Sequence, residues 1–409
     1  MLEIRPFPGI LYRVGAAELP RVLAPPYDVI PAAYREELYA RDARNIVRVI
    51  LNRNEGKAGY QEAGETYRRW QAEGVLAADT EAALYLLEQT FSLDGKERRR
   101  LGLLARFRAE DPAKRVVLPH EQTRKGPKED RYRLLRATKA NFSPIFLMFP
   151  DAGGRFAAVA SGVALASPAL AYTDDGGVGH RLWRIVEAAA VGSLQELLGR
   201  ANAYIADGHH RYATALRYRD ETGPDGAWTF GYFTPLEGPG LVVLPYHRIL
   251  SQGPSLAEAR AALEGRFAVS AAANAREAAE AAARSPRPYA FGLAEPDGGA
   301  LVAEARLEAA ELLEVDAPPS LRVLDTYFLH RVVLERVLSV PAEAVHYAHS
   351  LAEAEQALAA GRCRLAVLMR PTPVAQIVGV AEAGESMPAK STFFHPKLPS
   401  GLVIHPLVA

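Results

Sequence analysis

A short segment of the chain joins an aspartate and a glycine to three side chains that can carry positive charge. It follows an apolar run and reads Ala206-Asp207-Gly208-His209-His210-Arg211. Glycine permits a tight turn and a close approach of a ligand to the backbone. A helix beginning here would direct free N–H groups and the positive end of its dipole at that ligand, an arrangement that suits a phosphate. We therefore assign phosphate or nucleotide binding to Gly208, His209, His210 and Arg211. The alternative is that these side chains cap neighbouring loops or pair with buried carboxylates.

Asp207 has two predicted roles at this turn. It is a favourable helix N-cap residue, and its carboxylate could contribute to catalysis and hold a Mg²⁺ ion that arrives with a nucleotide. The histidines that follow it are adjacent in sequence, so on a helix they diverge, unlike the i, i+4 pair of a zinc protease. We therefore predict a nucleotide-associated magnesium ion and no zinc site made by protein side chains alone.

A second candidate is the pair His120-Glu121, which comes directly after a short apolar run. A loop carboxylate beside a histidine can serve as a general base. The basic segment Arg124–Lys128 follows, and its lysines could hold phosphate oxygens. Taken alone, this segment fits a solvated charged loop equally well.

A third candidate lies in the proline-rich tail, where Lys390, Ser391 and Thr392 are consecutive. The segment lacks the glycine spacing of a P-loop, and the chain has no Gly-x-Gly-x-x-Gly sequence. Long irregular tails with specific polar residues often close active sites. We predict that these three residues contact the substrate or close over it, with a purely structural tail as the alternative. For Asp28 and His247, which lie among prolines and apolar residues, a packing or turn role is favoured.

The pattern of helices and strands that would position these residues predicts an α/β fold of the mixed α+β kind, and the chain length predicts several domains. A strand at 203–206 leads into a helix from 208 to about 220, and a charged helix is predicted over 129–139. A hairpin turns at Asp94-Gly95, and single strands are predicted at 143–149 and 241–248. The last region is expected to contain a helix from 321 to 338 and then strand, helix, strand and strand. The predicted domains are an N-terminal mixed α/β domain at 1–110, a core carrying the Asp207–Arg211 segment at 111–250, a small Ala-rich α/β insertion at 251–320 and a C-terminal segment with the closing loop at 321–409.

Charge and hydropathy narrow the classes of partner. Lys and Arg together number 48, as do Asp and Glu, so the chain has no overall field that attracts polyanions. Free nucleic acid is not the expected partner. No uncharged apolar stretch reaches the ~18 residues of a membrane helix, and the charged N-terminus does not resemble a signal peptide. We predict a cytoplasmic protein that acts on a small molecule and a nucleotide and has no membrane partner. The sequence is compatible with assembly into a homo-oligomer.

Several of these segments together resemble the domain-of-unknown-function 1015 family, and the resemblance spans nearly the whole chain. The matching segments are Ala24–Ile30, His120-Glu121, Ala206–Arg211 and Met387–Thr392. A more distant resemblance is to the ParB/sulfiredoxin-like fold and, within it, to the free serine kinases. It implies that the core binds nucleotide phosphates at Asp207–Arg211 and that Glu121 is the base toward a serine hydroxyl. The interval from Ile145 to Tyr204 is longer than that compact fold needs, so an insertion must be looped out. Sulfiredoxin chemistry is excluded because the Asp207–Arg211 segment contains no cysteine.

The function expected from these residues and this resemblance is that of a small-molecule kinase. ATP or ADP with Mg²⁺ would donate a phosphoryl group to a small hydroxylated metabolite, with free L-serine as a candidate. Glu121, His120 and Asp207 would be catalytic. One alternative is a ParB-like nucleotide-binding regulator without kinase activity. The other is a metal-dependent hydrolase that uses His120, His209 and His210.

Overall fold

The computed structural model describes residues 1–311, 313 and 317–407, and the chain divides into two compact units. The first unit comprises Met1–Pro119, Thr123–Val242 and Pro396–Ala409, and the second comprises His120–Gln122 and Val243–His395. Both units combine helices with β-sheet, so the predicted mixed α/β class is confirmed. The predicted boundary near residue 250 lies close to the division at Val243. The predicted boundaries after residues 110 and 320 fall inside these units.

The first unit is built on a large mixed sheet. From one edge to the other, its neighbouring strands are Val117–Leu118, Ala203–Asp207, Ile145–Phe149, Trp228–Pro235, Lys96–Arg108, Leu84–Leu93, Gly179–Ile185 and Leu170–Thr173, and Ile4–Arg5 pairs with Lys96–Arg108. The predicted hairpin is present, with Asp94 and Gly95 both at positive φ in its turn. The long apolar strands of this sheet bury Leu103, Ile145 and Phe233 to 1% exposure or less.

The other elements of the first unit are short strands and helices. The α-helices are Leu19–Val22, Ala32–Arg41, Val47–Ile50, Gly56–Ala72, Lys125–Thr138, Arg155–Val163, Ala188–Gly199 and His209–Thr222. The 3₁₀ turns are Tyr27–Val29, Pro112–Lys114 and Pro224–Ala227. The remaining strands are Ile10–Tyr12, Leu76–Ala78, Ala140–Asn141 and His405–Pro406. The predicted charged helix begins four residues earlier than expected, at Lys125. The basic segment after Glu121 therefore forms its first turn instead of a loop.

The second unit contains an antiparallel sheet packed against helices. Its strands follow the order Phe267–Ala272, Ala300–Ala305, Ala290–Ala294, Leu365–Leu368, His247–Leu250 and Val345–Ala348. Two strands, Val242–Leu244 and Phe393–His395, lie outside this sheet and pair with each other. The α-helices are Leu256–Leu263, Ala275–Arg284, Leu307–Ala310, Pro319–Arg322, Asp325–Phe328, Leu351–Ala359 and Val374–Ala383. Ala342–Ala344 is a 3₁₀ turn, and Leu329–Val337 is a π-helix.

Two expectations for this unit were wrong in detail. The single strand predicted over 241–248 is interrupted at Pro245, because proline has no N–H group to donate to a ladder, and pairing resumes at His247. The predicted final strand is instead the helix Val374–Ala383. Its β-branched residues favour a strand locally, yet Ile377, Val380 and Ala381 are buried at helical spacing.

Among the residues that the structure describes, no helix combines the length and the apolar composition needed to cross a bilayer.

Candidate functional site

A strand, a glycine and a helix build the centre of the candidate site in the first unit. The strand Ala203–Asp207 lies between Val117–Leu118 and Ile145–Phe149. Gly208 then adopts φ +97°, which is left-handed backbone, and the helix His209–Thr222 begins immediately. Within the described residues no side chain caps this helix start. The start of a helix directs backbone N–H groups and the positive end of its dipole outward, which is an arrangement that suits an anion.

Asp207 is the counter-ion of two cations. Its Oδ1 lies 2.6 Å from Nζ of Lys397, and its Oδ2 lies 2.5 Å from Nη2 of Arg211. The three side chains are only 12–16% exposed. Burial raises the pKa of Asp207, but Lys397 and Arg211 outweigh it and hold that pKa well below its usual range. The carboxylate is therefore ionised and both of its oxygens are engaged.

These contacts correct one expectation and leave another without support. Gly208, not Asp207, occupies the N-cap position, because the strand continues through Asp207 and the turn falls at the glycine. Asp207 also bonds to cations through both oxygens, so it does not fit a metal ligand in this arrangement. Its predicted role toward Mg²⁺ stays a prediction. Part of the positive charge at the helix start is thus neutralised by a buried carboxylate, as the alternative interpretation of the motif expected.

His210 is tied to the start of the neighbouring helix. Its Nε2 accepts a hydrogen bond of 3.0 Å from the backbone N–H of Arg124, so that nitrogen is unprotonated. Burial lowers the pKa of His210, Asp28 raises it, and the cations Arg124, Lys128 and Arg211 lower it further. The lowered pKa favours the neutral ring, which lies near these three cations and near the carboxylate of Asp28. The predicted phosphate-holding segment Arg124–Lys128 lies beside it.

Arg211 connects the turn to the next strand and to a small cavity. It donates through Nη1 to the backbone carbonyl of Pro144. It also lines a cavity of about 50 Å³ together with Tyr27, Arg131 and Phe142. His209 is buried at 6% exposure and lies close enough to Asp207 to contribute to the low pKa of that carboxyl group.

The other predicted site residues lie together in the second unit. The backbone carbonyl of His120 accepts a hydrogen bond of 2.8 Å from the N–H of Met387, and Glu121 forms a β-bridge with the same residue. The Nε2 atom of His120 lies 3.4 Å from Oγ1 of Thr392. His120-Glu121 and the tail segment, which are far apart in sequence, are thus neighbours in the fold.

The segment Met387–Thr392 is held in a defined conformation. Lys390 has φ +60°, an unfavourable value for a residue with a side chain. Its carbonyl accepts a bond of 3.3 Å from Nη2 of the fully buried Arg248, and its Nζ lies 5.1 Å from the centre of the Tyr246 ring. Ser391 donates to the carbonyl of Pro388 at 2.6 Å. The strained backbone at Lys390 is thus fixed by its surroundings.

Comparison with known proteins places the chain in a family. Residues 4–327 match the family described as "Protein of unknown function (DUF1015)". The chain belongs to the DUF1015 family. No curated protein matches this DUF1015 chain.

Solved structures similar to the DUF1015 chain include a free serine kinase in complex with AMP, a free serine kinase mutant in complex with ADP, and SbnI with a C-terminal truncation from Staphylococcus aureus. Sequence identities are 16%, 14% and 11%, and TM-scores are 0.33, 0.34 and 0.34. The matches cover 68%, 68% and 71% of this chain and 83%, 84% and 84% of the other chains. The ParB/sulfiredoxin-like core stays a prediction.

Sequence reasoning missed Lys397 as a member of the Asp207 cluster. The residue lies in the same proline-broken tail as Lys390, seven positions further on, and nothing in its spacing links it to Asp207. The structure brings Lys397 to Asp207 in the first unit, whereas Lys390, Ser391 and Thr392 belong to the second.

The remaining two predicted residues, His247 and Asp28, differ in burial. His247 is buried, and its Nδ1 accepts a hydrogen bond of 3.1 Å from the N–H of Met369. Asp28 is exposed.

A metal centre would need a suitable ligand set among the described residues of the DUF1015 chain. Among its described residues, no group of three or more His, Cys, Asp and Glu side chains is arranged to hold a metal ion. The hydrolase alternative requires His120, His209 and His210 as ligands. The Nε2 atom of His210 already accepts a hydrogen bond from the backbone N–H of Arg124, so this nitrogen does not fit a metal ligand in this arrangement.

Proposed function

We propose that this chain binds the phosphates of ATP or ADP at the Asp207–Arg211 turn and transfers a phosphoryl group to a small hydroxylated metabolite. The observation that carries the proposal is the set of cations around the start of the helix His209–Thr222. Arg211 and Lys397 contact Asp207 directly, and Arg124 and Lys128 act electrostatically on His210. The buried carboxylate offsets only part of this charge, and a polyphosphate would neutralise the rest.

This arrangement supplies what phosphoryl transfer requires of a protein. The reaction depends on positioning and on neutralisation of charge more than on covalent chemistry. Asp207 would orient Arg211 and Lys397 so that their cationic groups remain near the helix start when phosphate arrives. Gly208 would let the phosphate approach the backbone, because it has no side chain there. Mg²⁺ would be held mainly by the phosphates of the nucleotide.

Glu121 is the proposed general base. The resemblance to the free serine kinases assigns this role to it, with free L-serine as a candidate acceptor. Its backbone is fixed by the β-bridge to Met387, and its neighbour His120 lies against Thr392. A base must be held within hydrogen-bonding reach of the hydroxyl it deprotonates, and a fixed backbone serves that need. The proposed roles of Lys390, Ser391 and Thr392 are to contact the acceptor or close over it.

The experiment that tests this function is a product screen. The purified protein would be incubated with Mg²⁺, ATP or ADP, and a pool of hydroxylated metabolites that includes serine. Mass spectrometry would then detect a gain of one phosphate in one metabolite. A phosphorylated product supports the proposal and identifies the acceptor. Nucleotide binding without any product would instead favour the ParB-like regulator, and no nucleotide binding would refute the phosphate site.

Two variants separate binding from chemistry in that screen. Arg211→Met removes one of the proposed phosphate-binding cations and should weaken nucleotide binding about tenfold or more, since hydrogen bonds to charged groups contribute roughly 1.5–3 kcal/mol. Glu121→Gln should leave nucleotide affinity unchanged and reduce product formation by at least about a hundredfold. Glu343→Gln, an exposed change in the same unit as Glu121, is the matched control and should retain full activity. Full activity in Glu121→Gln would show that another group is the base.

A further inference from the structure

The backbone that carries Lys397 is clamped by two buried side chains of the main sheet. Nη2 of Arg100 donates to the carbonyl of Pro396. Nε2 of Gln89 donates to the carbonyl of Lys397 itself at 3.2 Å. The side chain of Lys397 in turn places its Nζ 2.6 Å from Oδ1 of Asp207. A continuous series of hydrogen bonds therefore runs from the sheet to the candidate phosphate site.

The hairpin fixes this clamp in advance. Gln89 and Arg100 are direct cross-strand partners in the antiparallel pair formed by Leu84–Leu93 and Lys96–Arg108. Nη2 of Arg100 also donates to Oε1 of Gln89, so each side chain orients the other. Gln89 is 0% exposed and Arg100 is 1% exposed. Neither side chain can move far without disturbing the packed interior.

Keeping a guanidinium group in this position is energetically expensive. Arg100 donates to two neutral oxygens and lies 4.7 Å from the centre of the Phe146 ring and 5.8 Å from that of Tyr232. Burial lowers the pKa of Arg100. Desolvation of a guanidinium group opposes this placement, and the hydrogen bonds to Gln89 and Pro396 offset part of that cost. Arg100 is thus held where it fixes the backbone beside Lys397.

We propose that Arg100 and Gln89 are positioning residues that hold Lys397 at Asp207, where its ammonium group binds the phosphate of the nucleotide. The identity of the ligand rests on the proposed function, whereas the hydrogen bonds that position Lys397 do not depend on it. Lys397 lies in an irregular segment broken by Pro396 and Pro399, and its flexible side chain loses conformational freedom when it binds. Fixing the two carbonyls around it removes much of that cost before the nucleotide arrives.

A double-mutant cycle on nucleotide affinity tests the link between Arg100 and Lys397. ATP with Mg²⁺ is the probe, and calorimetry gives the Kd for wild type, Arg100→Met, Lys397→Met and the double variant. We expect each single variant to weaken binding about tenfold or more, because a charge-assisted contact is worth roughly 1.5–3 kcal/mol. The double variant should be no weaker than Lys397→Met alone. Additive losses, or unchanged affinity in a folded Arg100→Met protein, would overturn the proposal.

A second measurement needs no nucleotide. Reductive methylation followed by mass spectrometry reports how readily each lysine amine reacts. Lys397 is 12% exposed and paired with a carboxylate, so it should react slowly in wild type. It should react more than about tenfold faster in Arg100→Met or in Gln89→Leu, since a local opening worth 1.4 kcal/mol changes the exposed population tenfold. Unchanged reactivity of Lys397 in both variants would refute the positioning role, even if the protein bound no nucleotide.

Controls separate positioning from general damage. Arg108→Met lies on the same strand as Arg100, and its side chain is 46% exposed. It should alter neither the Kd nor the reactivity of Lys397, because exposed ion pairs contribute little. Thermal unfolding of Arg100→Met should show a moderate loss of stability, because Oε1 of Gln89 and the carbonyl of Pro396 lose a buried donor, so both assays are run well below its unfolding temperature. If that variant does not fold, Gln89→Leu provides the same test.

Discussion

At the scale of single residues, Gly208 adopts a backbone conformation that is energetically unfavourable for residues with a side chain. Its φ of +97° is strained for any residue with a Cβ atom. A Cβ built there would also lie 3.0 Å from Nε and Cζ of Arg211. The glycine therefore serves both the turn into the helix and the placement of the guanidinium group against Asp207.

We predict that Gly208→Ala weakens nucleotide binding about tenfold or more. The left-handed backbone costs an alanine roughly 1–2 kcal/mol, and the displaced Arg211 loses part of its contact with Asp207. Calorimetric titration with ATP and Mg²⁺ would measure the change. The control is Gly153→Ala, where a Cβ would meet nothing within 4 Å. Equal affinity in Gly208→Ala and wild type would show that phosphate does not bind at this turn.

A second prediction concerns the charge of Asp207. Asp207→Asn keeps the shape of the side chain but leaves Arg211 and Lys397 largely buried beside a neutral group. We expect the free energy of unfolding to fall by roughly 3 kcal/mol, as when one partner of a buried ion pair is removed. Inorganic phosphate should restore part of this loss, because an anion at the helix start would take the place of the carboxylate.

Urea unfolding in phosphate and in chloride of equal ionic strength would measure that recovery. Phosphate should stabilise Asp207→Asn more than it stabilises wild type. Equal stabilisation of the two proteins would mean that the cations at Asp207 are not accessible to an anion.

At the scale of elements, the sequence predicted the strand, the turn and the helix that build the site. An apolar run ending at Asp207, then a glycine, then a polar segment of helical character is a local pattern, and local patterns are readable. The N-cap assignment failed by one residue because the strand pairs through Asp207. The cluster of Asp207 with Lys397 was not predictable, because it joins segments that are 190 positions apart.

The tail segment in the second unit shows the same division between local and distant information. Sequence indicated that Lys390, Ser391 and Thr392 are functional candidates, but not that Lys390 is strained or that Thr392 lies 3.4 Å from His120. Such contacts depend on packing between residues that are distant in sequence. Strain at a fixed backbone position is common where a side chain has a functional task.

We predict that Lys390→Asn preserves stability but lowers product formation. Asparagine tolerates left-handed backbone better than most residues, so the fold of the segment should survive within about 1 kcal/mol. The loss of the ammonium group should reduce turnover at least about tenfold, since a charged contact contributes roughly 1.5–3 kcal/mol. Steady-state kinetics together with thermal unfolding would check both parts. Full turnover in Lys390→Asn would assign this residue to structure alone.

At the scale of the whole molecule, a segment far along the chain belongs to the first unit. The family match ends at residue 327, but Pro396–Ala409 belongs to the first unit. In that segment Ile404 bridges to Ile10, and the N–H of Gly401 donates to the carbonyl of Phe142. The segment thus supplies both Lys397 and part of the core of the first unit.

A chain shortened to end at His395 should lose most of the stability of its first unit. Leu402, Val403 and Ile404 are each 3% exposed or less, and burying each such side chain contributes roughly 1.5–3 kcal/mol. That sum is comparable to the roughly 5–15 kcal/mol by which a folded protein is stable. Circular dichroism with thermal unfolding would measure the loss. A chain ending at Leu407 is the control, and equal stability of the two shortened chains would contradict the prediction.

Acid should also destabilise the first unit through the histidine of this same segment. His405 is 1% exposed, lies 5.0 Å from the Phe7 ring between ring centres, and its Nδ1 is 3.3 Å from Nδ2 of Asn141. Burial, and then Arg106, lowers the pKa of His405 from 6.5 to about 3. The unfolded chain therefore binds a proton between pH 6.5 and about 3 that the folded chain does not. Stability contributed by the neutral ring is present above pH 6.5 and falls by about 1.4 kcal/mol for each pH unit below it.

The measurement is urea unfolding of the whole protein at several pH values between 7 and 4.5. His405→Phe should flatten the dependence by the equivalent of one proton, because phenylalanine keeps the aromatic contact and cannot titrate. His346→Gln, a change at an exposed histidine, should leave the dependence as it is. Other buried histidines also contribute to the slope of stability against pH. Burial lowers the pKa of His247 to about 4 and that of His330 to about 3. The test therefore depends on the difference in slope between variants. An unchanged slope in His405→Phe would mean that His405 is already protonated in the folded protein, and its ring could then not accept the contact from Asn141.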